Sequence, residues 1–189
     1  MVRLFLIIVV AFVSCGEYTP KPAGFPRIER DESELVEFDY SDFSFSYPAS
    51  VRIEKLEKVE SGFWFNLEYP KIDATIYCTY LSVVEGNGKL SRFLDESYHS
   101  AYNHVSKADG IKQSQFSDSL HHTFGIIYDI KGRVASPIQF YVTDNEQHFL
   151  RGSFYFNKEV NSDSIKPIIQ YVREDIVGVM ETLRWKSKP

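Results

Sequence analysis

The sequence predicts an α+β fold: a mainly antiparallel sheet of about six to seven strands, in the order ββββαβββα, flanked by two helices. Three observations carry this reading. Short runs that alternate apolar and polar residues fall into two blocks, one before and one after the middle of the chain. A stripe of apolar residues at three-to-four spacing separates the blocks. A second, longer stripe closes the chain.

The elements follow in order. Phe43-Ser-Phe45-Ser-Tyr47 alternates cleanly until Pro48 stops it, and Val51 to Glu54, Gly62 to Tyr69 and Ala74 to Leu81 repeat the pattern. Turn residues separate them at Tyr47-Pro48, Ser61-Gly62 and Tyr69-Pro70, and Gly86-Asn87-Gly88 marks a loop. The first helix is expected over Lys89 to Lys107, with Leu90, Phe93, Leu94, Ser97, Ala101 and Val105 on one stripe and Gly110 beyond its end. Phe124 to Ile130 then turns at Lys131-Gly132 into Val134 to Thr143, and Asp144-Asn145-Glu146 leads into His148 to Asn157. The last helix carries Ile165, Ile168, Ile169, Val172, Ile176, Val179, Met180 and Leu183 on one face. Ser162, Asp163 or Ser164 is expected to cap its start, and Pro167 suits its first turn.

Before the first strand the chain has a different character. Met1-Val-Arg3 is short and basic, and Leu4 to Val13 is unbroken apolar sequence. That run is too short to cross a hydrocarbon layer of about 30 Å as a helix, but it suits the apolar region of a signal peptide. It ends in Phe12-Val13-Ser14-Cys15, which resembles a lipobox with Cys15 as the lipidated residue; Phe12 replaces the usual leucine. Several acyl chains anchor stably because each buried methylene contributes roughly 0.8 kcal/mol. Pro20, Pro22, Gly24 and Pro26 make the next segment a stiff arm. The expected layout is a signal peptide over 1–14, lipidated Cys15 with a proline-rich arm over 15–37, and a single α+β domain over 38–189. The tethered domain is expected to face the periplasm, at either the inner or the outer membrane.

Composition narrows the function. A net charge of −5 argues against a nucleic-acid partner, which needs a basic field. With Cys15 acylated, Cys78 has no partner in the chain and reads as a buried, inert thiol in a strand. The five histidines (His99, His104, His121, His122 and His148) lack the spacing of a zinc site and read as surface or loop residues, so no metal and no cofactor is expected. Nucleophile elbow, phosphate loop, dinucleotide fingerprint and Cys-x-x-Cys motifs are absent, and no catalytic residue is assigned. Asp118-Ser119-Leu120 and Asp163-Ser164-Ile165 resemble short O-glycosylation acceptors; the helix-cap role explains the second.

Strand parity singles out one surface. Ile76, Cys78, Ile126, Tyr128, Ile138, Phe140, Val142, Leu150, Phe154 and Phe156 are even-numbered and would form one apolar face. Thr75, Tyr77, Thr79, Asp129, Gln139, Tyr141, Arg151, Ser153 and Tyr155 would form a mixed one. Either a helix covers this second face, with Asp129 and Arg151 paired inside, or part of it stays open and binds something. Tyr77, Asp129, Gln139, Tyr141, Arg151 and Tyr155 are therefore candidate partner-binding residues, together with Tyr18, Phe25 and Arg27 of the arm.

Four stretches resemble a known family: Tyr18 to Ile28, Tyr128 to Gly132, the run from Gln139 through His148-Phe-Leu-Arg-Gly152 to Asn157, and Arg173-Glu-Asp-Ile176 with Arg184-Trp-Lys186. With the Cys15 leader they look like the gliding-motility lipoprotein GldD of Bacteroidetes. That resemblance implies a non-enzymatic envelope component, required for gliding and linked to type IX secretion, that contacts other proteins of this machinery. Phe43 to Pro48 and the closing helix are also similar to PsbP/Mog1-like proteins, which implies architecture only. The competing class is a periplasmic lipoprotein that binds a small ligand or glycan. A closed pocket lined by Tyr77, Tyr141 and Tyr155 would favour it, and a flat patch would not.

Overall fold

A computed structural model describes residues 34–59, 62–83, 90–103, 108–158 and 165–186. Five strands come first: β1 (Leu35–Asp39), β2 (Phe43–Pro48), β3 (Arg52–Val59), β4 (Gly62–Tyr69) and β5 (Ala74–Ser82). Helix α1 (Leu90–Tyr102) leads to β6 (Ala108–Asp118), β7 (Thr123–Gly132), β8 (Ile138–Thr143) and β9 (His148–Phe156). Helix α2 (Lys166–Thr182) and the short β10 (Arg184–Trp185) follow. The α+β class and the antiparallel sheet are as expected, with a seven-stranded sheet in the order β3-β4-β5-β9-β8-β7-β6 and a three-stranded sheet β1-β2-β10.

Three of these strands were not expected: β10 has only two residues, and β1 and β6 share one reason. Strand β6 has few apolar residues and lies at the sheet edge, where it pairs only with β7. Strand β1 exposes Leu35 and Val36 and buries only Phe38, so alternation is faint; it lies across the expected arm–domain boundary. The hairpin after β7 also differs, because β8 starts at Ile138 and not Val134. The Pro137 carbonyl accepts from the Ile130 amide at 2.8 Å and closes the turn.

One face of the large sheet is sealed by two layers side by side. The small sheet brings Phe38, Phe43 and Phe45 onto Phe63, Phe65 and Tyr80, with ring centroids 5.3 Å apart for Phe38–Phe65 and 5.0 Å for Phe43–Tyr80. Beside it α2 lays Val172, Ile176, Val179 and Met180 on the sheet, in one core with Ile127, Ile138, Phe140 and Phe154. Each fully buried side chain of this kind contributes roughly 1.5–3 kcal/mol before conformational entropy is subtracted. The Ser46 amide donates to Thr182 Oγ1 at 3.0 Å and ties α2 to β2. Pro167 sits in the first turn as expected. The N-cap is Ile165, with no side-chain cap, and the expected capping residues 162–164 lie outside the described residues, as do His104 to Lys107 of the first predicted helix.

Two expectations need correcting. The registers Ile127↔Phe140 and Asp129↔Ile138 put odd residues of β7 on the same face as even residues of β8. Ile127 and Asp129 therefore face α2, while Ile126 and Tyr128 turn to the opposite side with Tyr141. A one-residue change of phase between strands flips every side chain, and the turn sets that phase. His148, read as a loop or surface residue, is buried: its Nδ1 lies 2.7 Å from the Tyr80 hydroxyl, and its ring stacks on Trp185 at 5.0 Å and 6°.

Candidate functional site

The opposite face of the large sheet is the mixed one. Asn66, Tyr77, Ser153, Gln139 and Tyr128 are successive cross-strand partners along one rung, from β4 to β7. The next rung runs through Trp64, Thr79, Arg151, Tyr141 and Ile126. Strand alternation alone puts these polar and aromatic side chains on one surface.

Helix α1 covers only part of it. Phe93, Ser97 and Ala101 are its buried residues, spaced four apart. Phe93 packs on Phe149 at 5.5 Å, and Ala101 joins Tyr128 and Ile130 in a small second core. Helix α1 does not reach the β4 and β5 side of this face, and Trp64 is 46% and Tyr77 49% exposed.

Between the helix and the uncovered strands lies a half-open cavity of about 830 Å³. Its floor includes Tyr77, Ser153, Gln139 and Tyr128, and one wall carries Ser97 and Ser100 of α1. Arg151 lies at its side, with Nη1 3.6 Å from Glu96 Oε2. The Tyr77 and Tyr155 rings meet edge to face at 5.7 Å and 71°. Ser97 and Gln139 are buried, and both Ser97 Oγ and Gln139 Nε2 are without a hydrogen-bond partner. Burial, with neighbouring tyrosines adding to it, pushes the Tyr128 hydroxyl up to about 12, so it stays protonated.

Of the candidate residues, Tyr77, Gln139, Arg151 and Tyr155 come together around this cavity. Tyr141 shares their face but not the cavity lining, stacking on Phe149 at 5.6 Å beneath α1. Asp129 is on the other face, where Arg173 Nε donates to its Oδ1 at 2.8 Å, so the expected Asp129–Arg151 pair does not form. Cys15, Tyr18, Phe25 and Arg27 lie outside the described residues. Ser97 was not among the candidates, although its position invited it: a serine at the centre of a stripe whose flanking members are apolar.

The remaining reactive groups are accounted for locally. Cys78 is buried, and burial raises its thiol far above the ordinary range. His99 and His122 are exposed, while His121 Nδ1 lies 2.6 Å from Asp118 Oδ2. Asp118 also accepts from the Leu120 amide at 3.0 Å, so it organises the turn that exposes Ser119. Among the described residues no three His, Cys, Asp or Glu side chains gather as a metal site.

The sequence model of the gliding motility lipoprotein GldD matches residues 15–185. The chain belongs to that family. No curated protein matches it. The family is one of gliding motility lipoproteins and not a known enzyme family, and membership makes this a lipid-anchored envelope protein. The match begins at Cys15 and ends at Trp185, and so takes in the proline-containing residues 15–33, both sheets and both helices. No helix among the described residues is long and apolar enough to cross a membrane.

Proposed function

We propose that this lipoprotein, tethered through Cys15 and facing the periplasm, is a non-enzymatic structural or assembly component of the gliding apparatus. In this reading it contacts other envelope proteins of gliding and of the associated type IX secretion system. The observation that carries it is the extent of the family match: it starts at the cysteine that ends the apolar leader and runs on through the whole fold. The uncovered strip of sheet supports a contact role, since Trp64 and Tyr77 are large, half-exposed aromatics of the type that anchors interfaces. The arm supplies Tyr18, Phe25 and Arg27 as a second contact between lipid and fold.

The test is to express the chain with its leader in a gliding bacterium, crosslink intact cells and identify what co-purifies through a C-terminal tag. Gliding and secretion lipoproteins should be recovered, and their recovery should fail when residues 17–28 are deleted. Charge reversal at Arg151 should stop gliding while the protein remains folded. A deletion strain that glides normally, with nothing recovered by crosslinking, would overturn the proposal.

A further inference from the structure

We infer that the cavity beneath α1 is a binding site for a neutral saccharide unit, a role beyond the protein contacts proposed above that shares Tyr77 and Arg151 with them. Its chemistry favours a polyhydroxylated ligand. Thr79, Ser100 and Ser153 offer hydroxyls that both donate and accept, and Gln139 and Asn157 add amides. Among the described residues of the wall the cation is Arg151, and it already faces the Glu96 carboxylate at 3.6 Å, so a phosphate or carboxylate would compete for it against a built-in anion. An aliphatic ligand would strip water from this polar lining without replacing its hydrogen bonds. At the rim, half-exposed Tyr77 and the Tyr155 ring set against it form an apolar platform for the C–H face of a pyranose.

Two buried polar atoms sharpen the inference. Ser97 is 7% exposed and Gln139 4% exposed; both line the cavity, from helix and sheet, and Ser97 Oγ and Gln139 Nε2 are unpaired. A buried unpaired donor or acceptor is destabilising, and alanine at position 97 or an aliphatic residue at 139 would avoid it. Both atoms are closed to solvent, so a ligand hydroxyl would complete them once the Ser97 or Gln139 side chain turns toward the cavity that its residue lines. The volume, about 830 Å³, lies within the range of small-molecule sites.

The full lipidated chain, held in a detergent without sugar groups, is titrated with cellobiose and with N,N′-diacetylchitobiose while backbone amide NMR shifts are followed. Glucose 6-phosphate serves as the anionic counterpart. A neutral disaccharide should shift the amides of Thr79, Ser97, Gln139 and Tyr155 saturably, and Tyr77→Ala should weaken that binding about tenfold. Ser97→Ala should also weaken it, yet leave the urea midpoint unchanged or higher, because it deletes an unpaired buried hydroxyl. Sedimentation with insoluble cell-wall glycan separates the sources: retention that free disaccharide competes away assigns a polymer segment, and no retention assigns a free saccharide. The inference is overturned if neither neutral sugar shifts these amides or if only glucose 6-phosphate does. It is also overturned if Ser97→Ala lowers stability and leaves affinity unchanged.

Discussion

Arg173 of α2 donates its Nε to Asp129 Oδ1 of β7 at 2.8 Å, and its Nη2 lies 3.4 Å from Ser114 Oγ of β6. This contact couples the closing helix to the last two strands of the large sheet, at the end away from the small sheet. Both side chains are largely buried, about a quarter exposed for Arg173 and a fifth for Asp129.

Asp129→Ala is therefore expected to destabilise by about 1–3 kcal/mol, since it leaves a guanidinium short of its partner in a low-dielectric site. The double variant Asp129→Leu, Arg173→Leu should be less destabilised than the sum of its single changes. Urea unfolding of all four proteins measures the coupling. Strict additivity would mean that the two groups are not energetically linked.

Three glycines should respond in opposite directions to alanine. At Gly125 a Cβ would lie 2.2 Å from the Tyr141 carbonyl oxygen and 3.1 Å from Met180 Cε, and at Gly152 it would lie 2.4 Å from Phe140 Cε1. Both substitutions are expected to destabilise by about 1–3 kcal/mol or more through overpacking. Gly178 has open space in the interior of α2, so Gly178→Ala should stabilise by about 0.5–1 kcal/mol. Thermal melts of the three variants check the order.

Stability should fall as the solution becomes alkaline. Burial raises the pKa of Cys78, Tyr69, Tyr128 and Tyr141 above the ordinary values for thiols and phenols. The unfolded chain then loses protons first, so the stabilisation is complete below the unfolded thiol pKa of about 8.5 and declines as pH rises from there. Cys78→Ala should delay the onset of the decline toward the phenol range near pH 10. Urea midpoints measured from pH 7 to 10.5 for both proteins report it, and an onset at the same pH in the two would refute the assignment to Cys78.

At the acid end, hydrogen bonds from the His121 ring and from the 120 and 121 amides hold the Asp118 carboxyl below the ordinary carboxylate range. The stabilisation from this turn is present above the unfolded aspartate pKa and is lost as pH falls through the lower folded value. Carboxyl NMR titration should show Asp118 protonating late on acidification, and His121→Ala should return it toward the ordinary range.

Much of this was legible in the residues because local pattern and final environment agree. The limits of β4 match the alternation from Gly62 to Tyr69, and the stripe of α2 faces the core as its spacing requires. Strand β6 carries no clear apolar alternation because it is an edge strand in which no residue is fully buried. Around the cavity, Tyr77, Gln139, Arg151 and Tyr155 were found because β5, β8 and β9 share one parity, with registers such as Thr79↔Arg151 and Gln139↔Ser153. Asp129 was misplaced because β7 does not share that parity.

By itself, then, the sequence determined the α+β class, the order of its main elements and which side chains alternate along each strand. These are properties of spacing, and spacing is local. Tertiary structure decided which strand faces meet across a turn, that His148 sits buried against Tyr80 and Trp185, and that α1 leaves Trp64 and Tyr77 uncovered. Those depend on hairpin register and on where a short helix comes to rest, set by the packing of residues far apart in the chain.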